Sequence, residues 1–351
     1  MTATRAFAAQ SSTSPLAPHT IERREPGAHD VKIDILYCGV CHSDLHTARG
    51  EWAGTKYPCV PGHEIVGTVV AVGAHVTKFK IGQRVGVGCM VDSCRECESC
   101  KSHLEQYCYE GNIGTYNGKD KHMGGQTLGG YSAGITVDEA FVLNIPDALP
   151  LDAAAPLLCA GITLYSPLKH WGAGPGKRVG IIGLGGLGHM GVKIAHALGA
   201  HVTMITTSPS KAADAKKLGA DDVIISTDTA QMASASKTFD LLMNTVSATH
   251  DFNAYMRLLR VDGAQVLLGV PPTDFPPPAV GRMIGNRLTL AASTIGGIEE
   301  TQEMLDFCAA HNIVSDIEMI RMDEVNGAYE RMLKGDVKYR FVIDMATLKA
   351  A

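Results

Sequence analysis

Residues 178–182, Arg-Val-Gly-Ile-Ile, read as a fully buried strand and run straight into Gly183-Leu184-Gly185-Gly186-Leu187-Gly188. A helical pattern over 187–198 follows at once. Glycines in that setting let the backbone turn tightly and present amides at a helix N-terminus to a pyrophosphate. A strand-to-helix turn with no ligand has the same outline, so the surrounding sequence must carry part of the reading. It does so by alternation. Residues 201–206 read as the next strand and 211–218 as a helix; 222–225, 241–244 and 264–268 read as further strands. Strands alternating with helices specify a parallel sheet covered on both faces, the doubly wound Rossmann arrangement of an α/β protein.

The first 150 residues have a different character. Short apolar runs at 31–36, 65–72, 84–87 and 140–143 are broken by glycine and proline, which reads as β-strands joined by turns. The change comes near residue 151, where a helix over 153–168 is expected after an Asp152 cap. The prolines of 271–278 mark a loop. Beyond them 288–292 reads as a strand, 299–310 and 324–333 as helices, and 339–344 as a last strand returning to the first domain. The division expected is a mostly-β domain over 1–152, to which 296–351 partly returns, and a nucleotide domain over 153–295.

Ten cysteines raise the question of disulfide or metal. Four of them form Cys94-x2-Cys97-x2-Cys100-x7-Cys108. Four thiolates so close in sequence can surround Zn2+ tetrahedrally and leave no position for substrate, which makes the site structural. An iron–sulfur cluster also takes four cysteines and is the rival metal. Cys38, Cys59, Cys89 and Cys308 follow no pattern and read as small buried hydrophobes. A second, dispersed set consists of Cys41 in Gly39-Val-Cys-His-Ser-Asp-Leu-His46, the pair His63-Glu64, and Cys159. Two thiolates and an imidazole make a three-ligand zinc site with an open fourth position. Spacing alone does not bring these residues together.

Cofactor choice is read about 20 residues past the glycine turn, where an NAD binder carries Asp or Glu for the ribose hydroxyl. This chain has Thr206-Thr207-Ser208-Pro209-Ser210-Lys211, with hydroxyls, one cation and no carboxylate. A 2′-phosphate suits that set, which selects NADP(H); the plain alternative is that Thr207, Ser208 and Ser210 cap the next helix. A net charge of −5 with no dense basic run argues against a nucleic-acid partner. No apolar stretch reaches the roughly 20 residues that span a bilayer, and residues 1–18 lack the pattern of a secretory signal. The expected compartment is the cytoplasm.

Taken together, these motifs resemble the zinc-dependent medium-chain alcohol dehydrogenases, and most closely the cinnamyl-alcohol-dehydrogenase-like branch with its bacterial NADPH-dependent aldehyde reductases. The likeness runs from Val31 to Asp344; Tyr57-Pro-Cys-Val-Pro-Gly-His-Glu64 and the segment 112–132 point to that branch. The resemblance implies a GroES-like catalytic domain with a structural-zinc lobe, two Zn2+ per chain, and an active site in the cleft between the domains. Cys41, His63 and Cys159 would hold the catalytic zinc, with Glu64 an occasional fourth ligand and Asp44 orienting His63. Cys94, Cys97, Cys100 and Cys108 would hold the structural zinc. Ser43 would bind the substrate oxygen beside the cofactor, and His46 would end a proton relay to solvent. Thr163 and Ser293-Thr294-Ile295 would lie on the nicotinamide side, Thr245 and Gly269 elsewhere along the cofactor, and Arg340 at the pyrophosphate. Helix capping for Ser43 and Thr163, and a surface position for His46, are the plain readings.

The activity implied is hydride transfer between NADP(H) and an alcohol/aldehyde pair, most often reduction of an aromatic or aliphatic aldehyde. An NAD-dependent primary-alcohol or polyol dehydrogenase and a non-catalytic nucleotide-binding relative are the alternatives. Trp52 and Leu45 are candidates for an apolar substrate pocket, with ordinary core packing the equal alternative for both. Relatives pair through the nucleotide domain, so a homodimer using the 288–292 edge is expected.

Overall fold

A computed structural model describes residues 1–270 and 276–349. The chain divides into two compact units, 1–159 with 296–351, and 160–295.

The second unit is built on a six-stranded parallel sheet. Its order is Asp222–Ile225, His201–Thr206, Arg178–Ile182, Phe239–Asn244, Leu259–Leu267, Thr289–Ala292. The two halves run outward from the central strand Arg178–Ile182, so the strand order reverses between it and Phe239–Asn244. Ligands of open α/β sheets bind at that reversal, beyond the carboxyl ends of the strands. The strands are apolar on both sides, as a sheet covered twice requires. Ile182, Ile205, Phe239, Leu242, Phe252 and Met256 form one buried cluster.

The first unit holds a mixed sheet ordered Ile317–Arg321, Arg340–Asp344, Asp30–Val40, Ile65–Val72, Arg84–Val87, Leu143–Asn144, with Gly134–Asp138 also paired to Asp30–Val40. Arg340–Asp344 lies antiparallel to Asp30–Val40, so residues near the C-terminus complete the sheet begun at residue 30. Thr2–Ala8 and Ala17–Arg23 form a separate hairpin. The four-cysteine run is folded as a lobe around the short helix Glu98–Lys101 and the small pair Met90–Asp92 with Ile113–Gly114.

Two expectations are corrected. Residues 140–143 are not one strand: Asp138 accepts from the Ala140 amide and winds Glu139–Phe141 into a 3-10 turn, leaving only Leu143–Asn144 extended. Residues 153–168 are not one helix, and Asp152 does not cap it. Pro150 caps Leu151–Ala154, the 3-10 stretch Ala155–Leu158 follows, and the helix Ala160–His170 starts beyond Cys159. Pro156 begins the break, and Cys159 completes it at φ −128°, ψ −67°. Of the loop expected over 271–278, residues 271–275 lie outside the described residues. Among the described residues no single helix is long and apolar enough to cross a membrane.

Candidate active site

Cys41, His63, Glu64 and Cys159 converge, each offering one ligand atom, with all four atoms within 4.8 Å of one another and all four residues buried. Three separate turns achieve this. Cys41 ends the strand Asp30–Val40 and is the N-cap of the helix His42–Ala48, whose Asp44 carboxylate accepts from the Cys41 amide at 2.9 Å. His63 follows Gly62, whose φ of +102° needs glycine. Cys159 occupies the helix break described above.

The electrostatics suit a cation. Asp44 is wholly buried and faces His63 Nδ1 at 3.1 Å. A proton on Nδ1 leaves the Nε2 lone pair free for a metal. Burial opposes a charged imidazole, but Cys89, Asp44 and Cys41 around it push the His63 pKa well up. The Cys41 thiol is held well below its ordinary value by the hydrogen bond from Cys159 and by Arg340 and His63, while the same bond holds Cys159 well above. Two thiols are thus arranged around one proton that a metal would displace. Burial pushes Glu64 up to about 8 despite its pairing with Arg340. Two thiolates and one neutral imidazole balance a dication, so the donor set fits zinc with one open position.

The lobe cysteines form the second convergence, again with their sulfurs within 4.8 Å of one another. Cys94 and Cys100 sulfurs are 3.8 Å apart, the edge of about 3.8 Å that a tetrahedron with Zn–S near 2.3 Å demands. Backbone amides point at the sulfurs: Cys94 N–H donates to Cys108, Cys97 N–H to Cys94, and Tyr109 N–H to Cys97. Amides of Tyr109 and Cys100 draw Cys97 down to about 6, and burial pushes Cys100 up to about 12. This set fits a single closed ion rather than a cluster that would spread its thiolates over several irons.

Three glycines of the turn have different surroundings. Gly183 has φ +93°, and a Cβ there would meet Val246 and Thr245 within 3.0 Å. A Cβ on Gly188 would stand 1.8 Å from the Gly183 carbonyl, so helix and turn touch there. Gly185 has nothing within 4 Å of a Cβ, which leaves its surroundings open for a ligand. Thr245 donates to the Ile182 carbonyl at 2.8 Å, at the strand-order reversal. Gly269 packs against the Val246–Ser247 peptide, and the Ser293 amide donates to the Leu267 carbonyl. These residues line the carboxyl ends of neighbouring strands, where a dinucleotide would lie. Lys211 Nζ donates to the Leu184 carbonyl at 2.9 Å, which puts the cation beside the turn. Ser208 and Ser210 hydroxyls lie 2.8 Å apart, and neither side chain caps a helix. Thr206 is buried and Thr207 exposed.

Other sequence candidates fall as follows. Ser43 does not cap its helix, since Cys41 does; its hydroxyl is 3.6 Å from the Cys41 sulfur. His46 is half-buried, bonded to Glu51 and stacked on Trp52. Thr163 is buried inside the helix Ala160–His170, not at its cap. Ile295 has φ +36°, a strained setting for a β-branched side chain. Arg340 is buried on Glu64, and its Nε has no partner. Leu45 is fully buried in the core, which removes it from the pocket, whereas Trp52 is partly exposed. Cys38, Cys59 and Cys308 are buried as read, but Cys89 is not a plain core residue: it is half-buried and its thiol bonds that of Cys159. Tyr116, its ring 5.6 Å from that of His63, and Tyr131, bonded to Asp44, were also not singled out from sequence. No local pattern marks them, because each reaches the site from a distant loop.

Residues 27–147 match the model of the alcohol dehydrogenase GroES-like domain, and 186–310 that of the zinc-binding dehydrogenases. The chain belongs to the zinc-dependent medium-chain alcohol dehydrogenases. It is 59% identical to the aldehyde reductase YahK of Escherichia coli over 98% of this chain and 99% of that one. A cinnamyl alcohol dehydrogenase from Sorghum bicolor superposes with a TM-score of 0.95 at 46% identity, covering 98% of both chains. The CAD of Helicobacter pylori, solved with NADP(H), superposes at 0.92 with 42% identity over 98% of both.

Proposed function

We propose that this chain is a zinc-dependent oxidoreductase moving hydride between NADP(H) and an alcohol/aldehyde pair, chiefly reducing aromatic or aliphatic aldehydes to primary alcohols. The observation that carries the reading is the convergence of Cys41, His63 and Cys159 on one buried point with a balanced charge. Bound zinc supplies Lewis-acid polarisation of the carbonyl, and the bound nicotinamide supplies the hydride. The chain's own residues do the rest. Cys41, His63 and Cys159 hold the ion, and Glu64, neutralised by Arg340, stands ready as a further donor. Ser43, beside the Cys41 sulfur, gives its proton to the substrate oxygen, and half-buried His46 replaces it with one taken from solvent.

The turn Gly183–Gly188 takes the pyrophosphate at the helix N-terminus. Thr206, Thr207, Ser208, Ser210 and Lys211 take the 2′-phosphate, which the missing carboxylate leaves unrepelled. Thr163, Thr245, Gly269, Ser293, Thr294 and strained Ile295 flank the remainder of the cofactor, and the free Nε of Arg340 supports a contact to its pyrophosphate. Two chains pair along the outer edge of Thr289–Ala292, next to which Ile284 is 77% exposed. The cytoplasm keeps the thiols of both metal sets reduced.

The test is NADPH consumption across a panel of aromatic and aliphatic aldehydes, with NADH as control. Rapid NADPH oxidation with at least one aldehyde and little with NADH is expected. No turnover with any aldehyde, or equal use of NADH, would overturn the reading.

A further inference from the structure

The Asp44 carboxylate is wholly buried, and each of its oxygens has two donors. Oδ1 accepts from the Gly62 amide at 3.0 Å and faces His63 Nδ1 at 3.1 Å. Oδ2 accepts from the Cys41 amide at 2.9 Å and from the Tyr131 hydroxyl at 3.2 Å. Three of these donors belong to the segments that carry Cys41 and His63 themselves. The fourth arrives from 87 residues away.

Tyr131 is fixed for that contact. Its ring is fully buried. Its amide donates to the Pro61 carbonyl at 2.9 Å, and its carbonyl accepts from the Phe7 amide at 2.8 Å. The ring lies against Gly62, where a Cβ would stand 2.7 Å from Tyr131 Cδ1. The tyrosine therefore holds both the residue before His63 and the carboxylate behind it.

We propose that Tyr131 is a positioning residue for the catalytic metal, its hydroxyl locking the Asp44 carboxylate that in turn fixes the tautomer and direction of the His63 ring. This rests on Cys41, His63 and Cys159 holding zinc. A carboxylate with two donors on each oxygen cannot rotate without breaking a bond, and His63 cannot then swing its Nε2 off the ion. Without the phenol, Oδ2 keeps one amide and the group gains freedom that His63 shares. Loss of a partner directly behind a ligand costs 10–100-fold in metal affinity or activity. Tyr131 is one bond further out, so a loosening of about five- to tenfold is expected.

The experiment uses Tyr131→Phe, which keeps the ring, in the full-length protein loaded with zinc. Zinc release to a chelator is followed by a colorimetric dye, with Tyr165→Phe as control, because that ring is also buried but its hydroxyl is not among the four donors to Asp44. Wild type and Tyr165→Phe should release two ions in two phases at matching rates. Tyr131→Phe should release the catalytic ion about five to ten times faster and the lobe ion at the wild-type rate. With cobalt in the catalytic site, its visible ligand-field bands should shift in Tyr131→Phe alone. Unchanged release, equal acceleration of both ions, or failure of Tyr131→Phe to fold in zinc-replete medium would overturn the proposal, the last two because the hydroxyl would then serve general packing. Wild type holding only the lobe ion would instead overturn the metal reading beneath it.

Discussion

Lys211 is the one cation in the stretch 206–211, and its contact with the Leu184 carbonyl keeps it at the glycine turn. A charge-assisted hydrogen bond contributes about 1.5–3 kcal/mol, or roughly ten- to a hundredfold in binding. Lys211→Ala should therefore raise the dissociation constant for NADPH by that factor and leave NADH within about twofold, read by fluorescence titration. Equal loss for both would remove the 2′-phosphate from the account. Cys159→Ser asks a different question of a single residue. It should lower zinc content from two ions per chain to one and abolish aldehyde reduction, while NADPH titration stays near wild type; normal turnover would remove Cys159 from the metal site. At this scale much of the site was legible. Cys41, His63 and Cys159 were readable as one site only through the family resemblance, since spacing alone does not bring them together, and the missing carboxylate after residue 206 was readable as a bare fact of sequence. Leu45 stayed open between pocket and core because an apolar residue on a short helix gives no sign of which way it faces; the fold settles it as core. Cys89, Tyr116 and Tyr131 were invisible because their partners are supplied by folding, not by neighbours.

At the scale of elements, the glycine turn makes two substitutions diverge. Gly188→Ala places a methyl 1.8 Å from a carbonyl oxygen, so turn and helix must separate. Overpacking of that kind costs typically about 1–3 kcal/mol, and NADPH affinity should fall with it. Gly185→Ala meets no protein atom within 4 Å. Its melting temperature should stay near wild type while NADPH affinity drops at least tenfold, because the methyl fills the space a pyrophosphate needs. If calorimetry and titration gave the two variants the same profile, the assignment of separate roles would fail. Strands of the parallel sheet were easy to read, since continuous β-branched runs between helices have one common use. The break at Cys159 was missed although Pro156 was there to be read as a breaker: an otherwise helical run over 153–168 outweighed it, and the ligand position of Cys159 is fixed only by the fold. The 140–143 run failed for a similar reason, as a single Asp138 side chain outweighed local β preference.

At the scale of the molecule, the two metal sets should have separable duties. The catalytic set is embedded in a full sheet, with Ile65, Val66 and Val85 buried around the strands that hold it. Its unit has a core without the ion. The lobe has little of its own: a four-residue helix, a three-residue 3-10 turn, a two-stranded pairing, and few buried apolar side chains beyond Cys100, Cys108 and Ile113. So small a piece of chain folds on the free energy of binding its ion. Cys100→Ser should accordingly lose one zinc of two and lower the melting temperature. Limited proteolysis should find new cleavage within 93–112, while NADPH binding by the unit 160–295 should persist. The catalytic ion should stay, since none of its ligands comes from the lobe. A Cys100→Ser protein with both ions and wild-type protease resistance would mean that the lobe is held by packing, and the four thiols would need another explanation.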